Sequence, residues 1–459
     1  MYAKMYARMY AKMYDLIVAG GGTAGSACAY IAAKQGLKTL VIEKNIHLGG
    51  TITSGFVTPA MKTDYQNVNC DFFNDLVKKM GEYNAQITYS DGNRGWFNPE
   101  ILKIVFDEML TDAGCEILFG TEVVDAKVDN DKVISIETKY KTLSSYFESK
   151  FFVDATGDGN FSLLCKNEIL SDENSTQAMT LRFLISGIDL EKFKDWLIEM
   201  DKDRDVTNFA YIDGALHLTT AYTWDSRDWG LAPVFRKALQ AGDLEESDTA
   251  YFQLFTVAGM PNTVTMNCPR ILVESGEWRV ESEVDHPAPK GHPSTGGESA
   301  PLSTLHSPLS QSDTSQALIQ ARKRIYRLHR FCKKYFPGFE NSFISNMADL
   351  LGVRESRRVK GQYVYTLQDI AEARTFEHVA CVSDYPVDVH SSTKDRSVLE
   401  HVKHTYQLPL EALKSNKYDN LYMIGRCLSA EFKAQAALRI QPCCFSMGEA
   451  VAKDIKKRS

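Results

Sequence analysis

Asp15-Leu16-Ile17-Val18-Ala19-Gly20-Gly21-Gly22-Thr23-Ala24-Gly25 is an apolar run that breaks into Gly20-x-Gly22-x-x-Gly25 and continues as an Ala-rich stretch. A second apolar run, Lys38 to Ile42, is closed by Glu43. Strand, glycine turn, helix and strand in this order predict a unit that holds a dinucleotide. Gly20 permits the tight turn, Gly22 lets the backbone approach a pyrophosphate, and Gly25 lets helix and sheet pack closely. The phosphates then face a helix N-terminus, where free N–H groups and the helix dipole favour an anion. Glu43 falls where a carboxylate accepts from ribose hydroxyls and repels a 2′-phosphate, which favours NAD or FAD over NADP. A bare GxGxxG also occurs in ordinary strand-turn-helix connections, so the second strand and Glu43 give the motif its weight.

The bulk of the chain narrows the classes further. Its 459 residues should divide into two or more domains, and 44% hydrophobic with 24% charged residues describes an ordinary globular protein. A net charge of −7 gives no global attraction to nucleic acid or anionic lipid. Ten cysteines are scattered without a CxxC pair, which argues against structural zinc, against a disulfide reductase and for reduced thiols. With no apolar stretch of membrane-spanning length and no signal-peptide core at the N-terminus, the expected location is the cytoplasm and no membrane partner is expected.

Residues 1–12 repeat a four-residue word, Met-Tyr-Ala-Lys or Met-Tyr-Ala-Arg, and read as a disordered extension ahead of a plausible true start at Met13. Residues 13–164 read as the first part of the dinucleotide domain. They comprise a helix from Gly25 to Gln35, a strand from Thr39 to Glu43, and a Gly49-Gly50-Thr51 loop. A helix over Pro99 to Ala113 and a strand over Cys115 to Phe119 follow. Then come a hairpin around Asp129-Asn130-Asp131 and a returning strand, Phe151 to Val153. Residues 165–345 carry aromatic-rich alternation and read as a sheet-based substrate domain, with a flexible Pro-, Ser- and Gly-rich insertion at about 281–312. His286, His292 and His306 lie in that insertion at spacing too irregular for a metal site, and none is expected. Residues 346–414 form a return segment shared between domains, and 415–459 complete the first domain. Residues 317–334 form a basic helix, read either as a packed helix with a solvated face or as a contact for an acidic partner.

Three further segments complete the pattern: Val153-Asp154-Ala155-Thr156-Gly157-Asp158, Gly352-Val-Arg-Glu-Ser-Arg-Arg358, and a C-terminal run containing Gly425-Arg426-Cys427-Leu-Ser429, Arg439-Ile-Gln-Pro442-Cys443-Cys444 and Met447-Gly448-Glu449-Ala450. On these motifs the chain resembles the FAD-dependent oxidoreductases of the two-domain, glutathione-reductase-like fold, most closely a bacterial group ending GRC-x-S…R-x-x-P-x-C-x-x-MG-x-A. The likeness covers most of residues 13–459. It implies an α/β fold, with a Rossmann-like FAD-binding domain built from a βαβ parallel sheet with a β-meander, plus a second mixed sheet-based substrate domain. It also implies an FAD-dependent oxidoreductase moving a hydride between a small organic substrate and non-covalent FAD, with an external electron acceptor or donor. Alternatives are a flavin monooxygenase-type enzyme and a flavin-binding protein that modifies or senses tRNA. The basic helix favours the tRNA reading and the net charge opposes it, so no nucleic-acid partner is expected. Assembly into a homo-oligomer stays open.

The same resemblance assigns residues. Gly20, Gly22, Thr23, Ala24 and Gly25 form the pyrophosphate turn. Glu43 and Lys44 lie at the adenosine ribose, and Gly49, Gly50 and Thr51 beside the flavin side of the pyrophosphate. Val123 meets adenine, while Ala155, Gly157 and Asp158 close the second FAD motif. Gly425 and Arg426 approach the pyrophosphate and ribityl chain. Cys443 and Cys444 stand in the first turn of a final helix whose N-terminus aims at the flavin ring. Val451-Ala452 departs from the usual ending of that helix, which puts packing near 448–452 in doubt.

On the substrate side, Arg354 and Arg439 are candidates for an anionic substrate, against a structural role in ion pairs. His401 and His404, read at helical spacing in Val398 to Tyr406, offer His404 as a base, against two ordinary surface or core histidines. His47 does not suit histidyl-flavin attachment, and the adjacent Cys443 and Cys444 are either redox-active or buried inert thiols.

Overall fold

The protein is described from a computed structural model over residues 12–63, 68–170, 177–202, 206–222, 229–249, 251–271, 311–389 and 398–459. The expected extension, apart from Lys12, and the insertion with its three histidines, apart from its last two residues, lie outside the described residues.

β1 (Met13–Ala19), α1 (Thr23–Lys34) and β2 (Thr39–Ile42) form the anticipated unit, with β1 and β2 parallel. The residues of β2 and the Leu16–Ala19 stretch of β1 are buried, as expected of strands covered on both faces. α1 starts two residues earlier than the sequence suggests, which places Gly25 inside its first turn. Glu43 falls just past β2, because its side chain turns back to the glycine loop instead of extending the strand.

α2 (Asp71–Glu82), which the sequence reading does not foresee, precedes α3 (Pro99–Asp112). The Asn98 side chain caps α3 by accepting from the backbone N–H groups of Glu100 and Ile101, and proline occupies the first turn where its missing N–H costs nothing. β3 (Glu116–Leu118), β4 (Thr121–Asp129), β5 (Lys132–Tyr140) and β6 (Leu143–Asp154) finish the first sheet in the order β3-β2-β1-β6-β5-β4. β6 is far longer than the Phe151–Val153 core read from sequence. Its first half runs antiparallel to β5, and its second half runs parallel to β1 and to the late strand Leu421–Met423. One continuous strand therefore joins the meander to the parallel core.

β7 (Met179–Thr180), β8 (Phe183–Ser186), β9 (Thr207–Ile212), β10 (Ala215–Tyr222), β11 (Phe252–Val257), β12 (Met260–Met266), β13 (Arg270–Ile271), α4 (Gln311–Tyr335) and β14 (Phe343–Met347) form the other half. Six of these strands make an antiparallel sheet in the order β9-β10-β11-β12-β8-β14, while β7 pairs with β13. α4 begins earlier than the basic stretch suggests. It buries Ala317, Ala321, Ile325, Leu328 and Phe331 in a core that also holds Phe235, Phe252 and Phe336. Each fully buried Ile, Leu or Phe among them contributes roughly 1.5–3 kcal/mol. The chain closes with β15 (Leu421–Met423), α5 (Phe432–Leu438) and α6 (Gln441–Arg458). α6 lies against α1, with Val451 and Ala452 fully buried. Val398–Tyr406 is not helical: a strand at Val398–Glu400 gives way to a turn and a second strand from Tyr406.

Candidate active site

The glycine turn builds one wall of a long cleft. Gly20 has φ +101°, a value that L side chains rarely adopt. A Cβ on Gly25 would fall 1.9 Å from the Gly20 carbonyl oxygen, so Gly25 serves the packing of α1 and does not face the cleft. A Cβ on Gly22 would meet nothing within 4 Å, which is the free approach a pyrophosphate requires. Glu43 is buried, with one carboxylate oxygen accepting from Gly21 N at 2.7 Å and the other from Asn45 N at 2.8 Å and Asn45 Nδ2 at 2.7 Å. The oxygen that accepts from Gly21 retains a lone pair for a ribose hydroxyl, while both lone pairs of the other are taken by Asn45.

The adjoining wall is the turn after β6, where the Ala155 backbone packs against Gly20. Asp154 is fully buried and accepts from Thr156 N, Thr156 Oγ1 and Ser162 N, so it ties down the Ala155–Asp158 turn. Burial pushes its carboxyl up despite those bonds. Arg426 Nη2 donates to Asp158 Oδ1 at 2.9 Å, and its Nη1 to the Val353 carbonyl. Burial alone would raise the Asp158 carboxyl, but Arg426 and a Ser356 hydrogen bond outweigh it and hold it below the usual range.

The cleft, counted together with the open solvent at its mouth, spans about 1110 Å³. Gly20, Gly22, Thr23, Ala24, Glu43, Lys44, Gly50, Thr51, Val123, Ala155, Gly157, Asp158, Gly425, Arg426, Arg439 and Cys444 line it. Thr156 and Gln441, inside quoted motifs but not assigned a role, also line it, as do Asn45, Thr121, Asn160 and Leu350, which no motif singles out. Gly49 sits behind the wall, where its carbonyl accepts from Thr23 Oγ1 at 3.0 Å, and Cys443 is buried away from the cleft. The first turn of α6 reaches the far end without a side-chain cap, so its backbone N–H groups are available there to an electron-rich ring edge. These residues fit FAD: an acidic residue at one end, a glycine-bounded middle and a helix start at the other. Burial pushes the Cys444 thiol up to about 12, so it is protonated and a poor nucleophile. His47 Nδ1 lies 3.1 Å from Ser54 Oγ.

Arg354 does not line this cleft. Its guanidinium donates to the Ala178 carbonyl at 2.6 Å, among other cations that the sequence reading did not connect with it. Arg357 donates to Asn160 Oδ1, and buried Arg358 to the Ala430 carbonyl, so both brace the chain. His401 and His404 are exposed and present no common helical face. His404 Nε2 lies 2.7 Å from the Ile370 carbonyl, outside the cleft, so His404 is not placed to act as a base there. On the basic helix, Arg324 and Arg327 both clamp fully buried Asp248, and Lys334 pairs with Asp243, which accounts for three of its cations as structural.

A parallel sheet with a β-meander, a glycine turn and a cleft fit for a dinucleotide define a flavoprotein class, and sequence comparison agrees. The family model described as FAD dependent oxidoreductase matches residues 15–453, and the chain belongs to that family. It is an FAD-dependent enzyme. Thiamine thiazole synthase of Pyrococcus furiosus is 23% identical over 158 residues, 32% of this chain and 58% of that protein's length. Among solved structures, L-proline dehydrogenase of P. horikoshii is 12% identical, with 98% of this chain and 93% of that one covered and a TM-score of 0.40. A flavin-dependent brominase is 14% identical, with 97% and 79% covered and a TM-score of 0.42. No helix among the described residues is long and apolar enough to cross a membrane.

Proposed function

We propose that the protein transfers a hydride between a small organic substrate and non-covalently held FAD, with an external electron acceptor or donor completing the cycle. The FAD supplies two-electron redox chemistry when bound. The observation that carries the reading is the far end of the cleft, where Arg439, Gln441 and Cys444 stand together at the start of α6. Gln441 Nε2 donates to the Val57 carbonyl at 2.9 Å and so fixes the loop that follows Thr51 against that helix. Arg439 brings a cation to that end of the cleft, and its Nη2 donates to Gln177 Oε1 at 3.3 Å. The chain thus binds the nucleotide through backbone and Glu43, and orients a substrate through side chains at the other end.

Purified protein should be yellow, and acid precipitation should release its flavin. Yellow colour retained by the pellet would refute the non-covalent assignment. Under nitrogen, a panel of small organic acids and alcohols should include at least one compound that bleaches the visible flavin band. If none bleaches it, while an external reductant delivers electrons only in the presence of oxygen and substrate, the monooxygenase reading replaces hydride transfer.

A further inference from the structure

Gln441 joins three parts of the far end of the cleft: its lining, the loop after Thr51 and the first turn of α6. The residue is 6% exposed, so nearly all of its side chain is enclosed. Its Nε2 donates to the Val57 carbonyl at 2.9 Å, and Val57 N donates in turn to the Thr51 carbonyl at 3.0 Å. The loop that bears Thr51 is thereby closed on itself and held on the helix. The same bond fixes which way round the carboxamide sits. Turned over, it would set its oxygen against the Val57 carbonyl oxygen, two acceptors with no proton between them.

Oε1 is therefore the uncommitted end of the amide. It meets no donor among the described residues, yet it is not sealed off by them. Because the side chain is otherwise enclosed and lines the cleft, the space left to Oε1 is the cleft. An amide oxygen in so enclosed a place is unfavourable unless a donor meets it. The backbone beside it offers the opposite chemistry. Pro442 takes the second position of α6, no side chain caps the helix, and its first bond runs from Cys444 N to the Ile440 carbonyl at 3.0 Å. The N–H groups ahead of Cys444 are left as donors, and the helix dipole favours an electron-rich partner. This end of the cleft thus sets donors from the helix start next to an acceptor from Gln441.

The pyrimidine edge of a flavin carries the matching order: N1 and the C2 carbonyl accept, and the neighbouring N3–H is the one donor of the oxidised ring. We infer that Gln441 Oε1 accepts from the N3–H of bound FAD while the helix start serves N1 and the C2 carbonyl. One carboxamide then holds the ring and the Thr51–Val57 loop in a single register. The inference rests on the assignment of the cleft to FAD and adds the atom of this chain that reads the ring. A hydrogen bond to the neutral N3–H also disfavours its ionisation.

The test produces the full chain in a riboflavin auxotroph fed 15N-labelled riboflavin and follows N3–H by NMR in the intact holoprotein. In the wild type this proton should exchange with water at least tenfold more slowly than in free FAD. The alkaline ionisation of the oxidised ring, seen in its visible band, should lie at higher pH than in free FAD. Gln441→Met removes the acceptor and should return both readings towards those of free FAD. Gln441→Glu keeps an acceptor but cannot donate to Val57, so it should retain slow exchange and push the ionisation higher still, because a carboxylate repels the N3 anion. If the Met variant retains no flavin, the Glu variant still decides: it should stay yellow with slow exchange. Equal readings in the Met variant and the wild type overturn the inference. A Glu variant that behaves like the Met variant also overturns it and leaves Gln441 as a loop anchor only. A wild type without flavin overturns the FAD assignment and this inference with it, whereas bound flavin whose N3–H exchanges as in free FAD overturns this inference alone.

Discussion

The cofactor cleft and the group of arginines around Arg354 meet at Arg439 and are built in different ways. Between Gly20 and Glu43 one short stretch of chain supplies the turn, the helix start and the ribose carboxylate, largely through backbone geometry. The arginine group draws Arg182 from just before β8, Arg270 from β13, Arg354 from a loop after β14 and Arg439 from the end of α5. A site made of backbone needs particular residues at fixed local spacing. A gathering of charge needs only that distant segments deliver cations to one place.

The largest effect expected from this contrast is at Gly25. Gly25→Val puts side-chain atoms onto the Gly20 carbonyl oxygen, a backbone atom that cannot step aside, and should cost about 3 kcal/mol or more. Melting temperature and flavin content should both collapse. Gly22→Val has a permissive backbone, φ −70° and ψ −169°, and open space at its Cβ. It should fold with near-normal melting and bind no flavin. If both variants lose stability equally, the division between a packing glycine and a ligand-facing glycine is wrong.

A comparable test in the second half removes the anchor of the basic helix. Asp248 is fully buried and accepts from Arg324 and Arg327, so Asp248→Ala takes the carboxylate from Arg324, leaves Arg327 to the exposed Glu245, and should destabilise by about 3 kcal/mol. Denaturant midpoints would report it. Unchanged stability would free those cations for an external acidic partner and revive the tRNA reading.

The same contrast explains what was legible in the sequence. Gly20, Gly22 and Glu43 could be read because their spacing is itself the structure, and Asn130 in the hairpin loop has φ +51° as such a turn demands. Arg439 was legible as a cation ahead of the last helix. Arg182 and Arg270 were not, because each sits in an apolar strand context with nothing nearby to mark it, and only the pairing of β7 with β13 brings Arg270 near Arg354. His404 misled because its three-residue spacing from His401 suggests a helical face, whereas the segment is a strand and a turn. The boundaries of β6 were missed because its outer half is three exposed residues followed by three half-buried ones and lacks an apolar run.

A smaller effect is expected at Asp158. Its folded-state carboxyl is depressed, so its contribution is present above the ordinary carboxylate range and is lost as pH falls through the depressed value. Flavin release, followed by the rise of free-flavin fluorescence, should therefore steepen below about pH 4. Asp158→Asn should weaken flavin binding at neutral pH and flatten that acid step. The Asp158 side chain is 35% exposed, so solvent screening keeps the neutral-pH loss below about fivefold. An unaltered acid profile in the variant would assign the step to another carboxylate.

The smallest effect concerns the edge of the cofactor half. Lys12 pairs with Glu116 on β3, but the two side chains are 50% and 45% exposed, and pairs of that kind contribute about 0–1 kcal/mol. Glu116 also accepts from Tyr14, whose hydroxyl stays with the strand when Lys12 is removed. Deleting residues 1–12 should therefore leave flavin content unchanged and lower the melting temperature by no more than about 2 °C. The comparison predicts this insensitivity, since every cleft-lining residue comes from Ala19 or later and the sheet that bears them is held by β1 from Met13 onward. A loss of flavin on truncation would mean that the repeated Met-Tyr-Ala words take part in holding the cofactor half together, and that the local glycine unit does not suffice on its own.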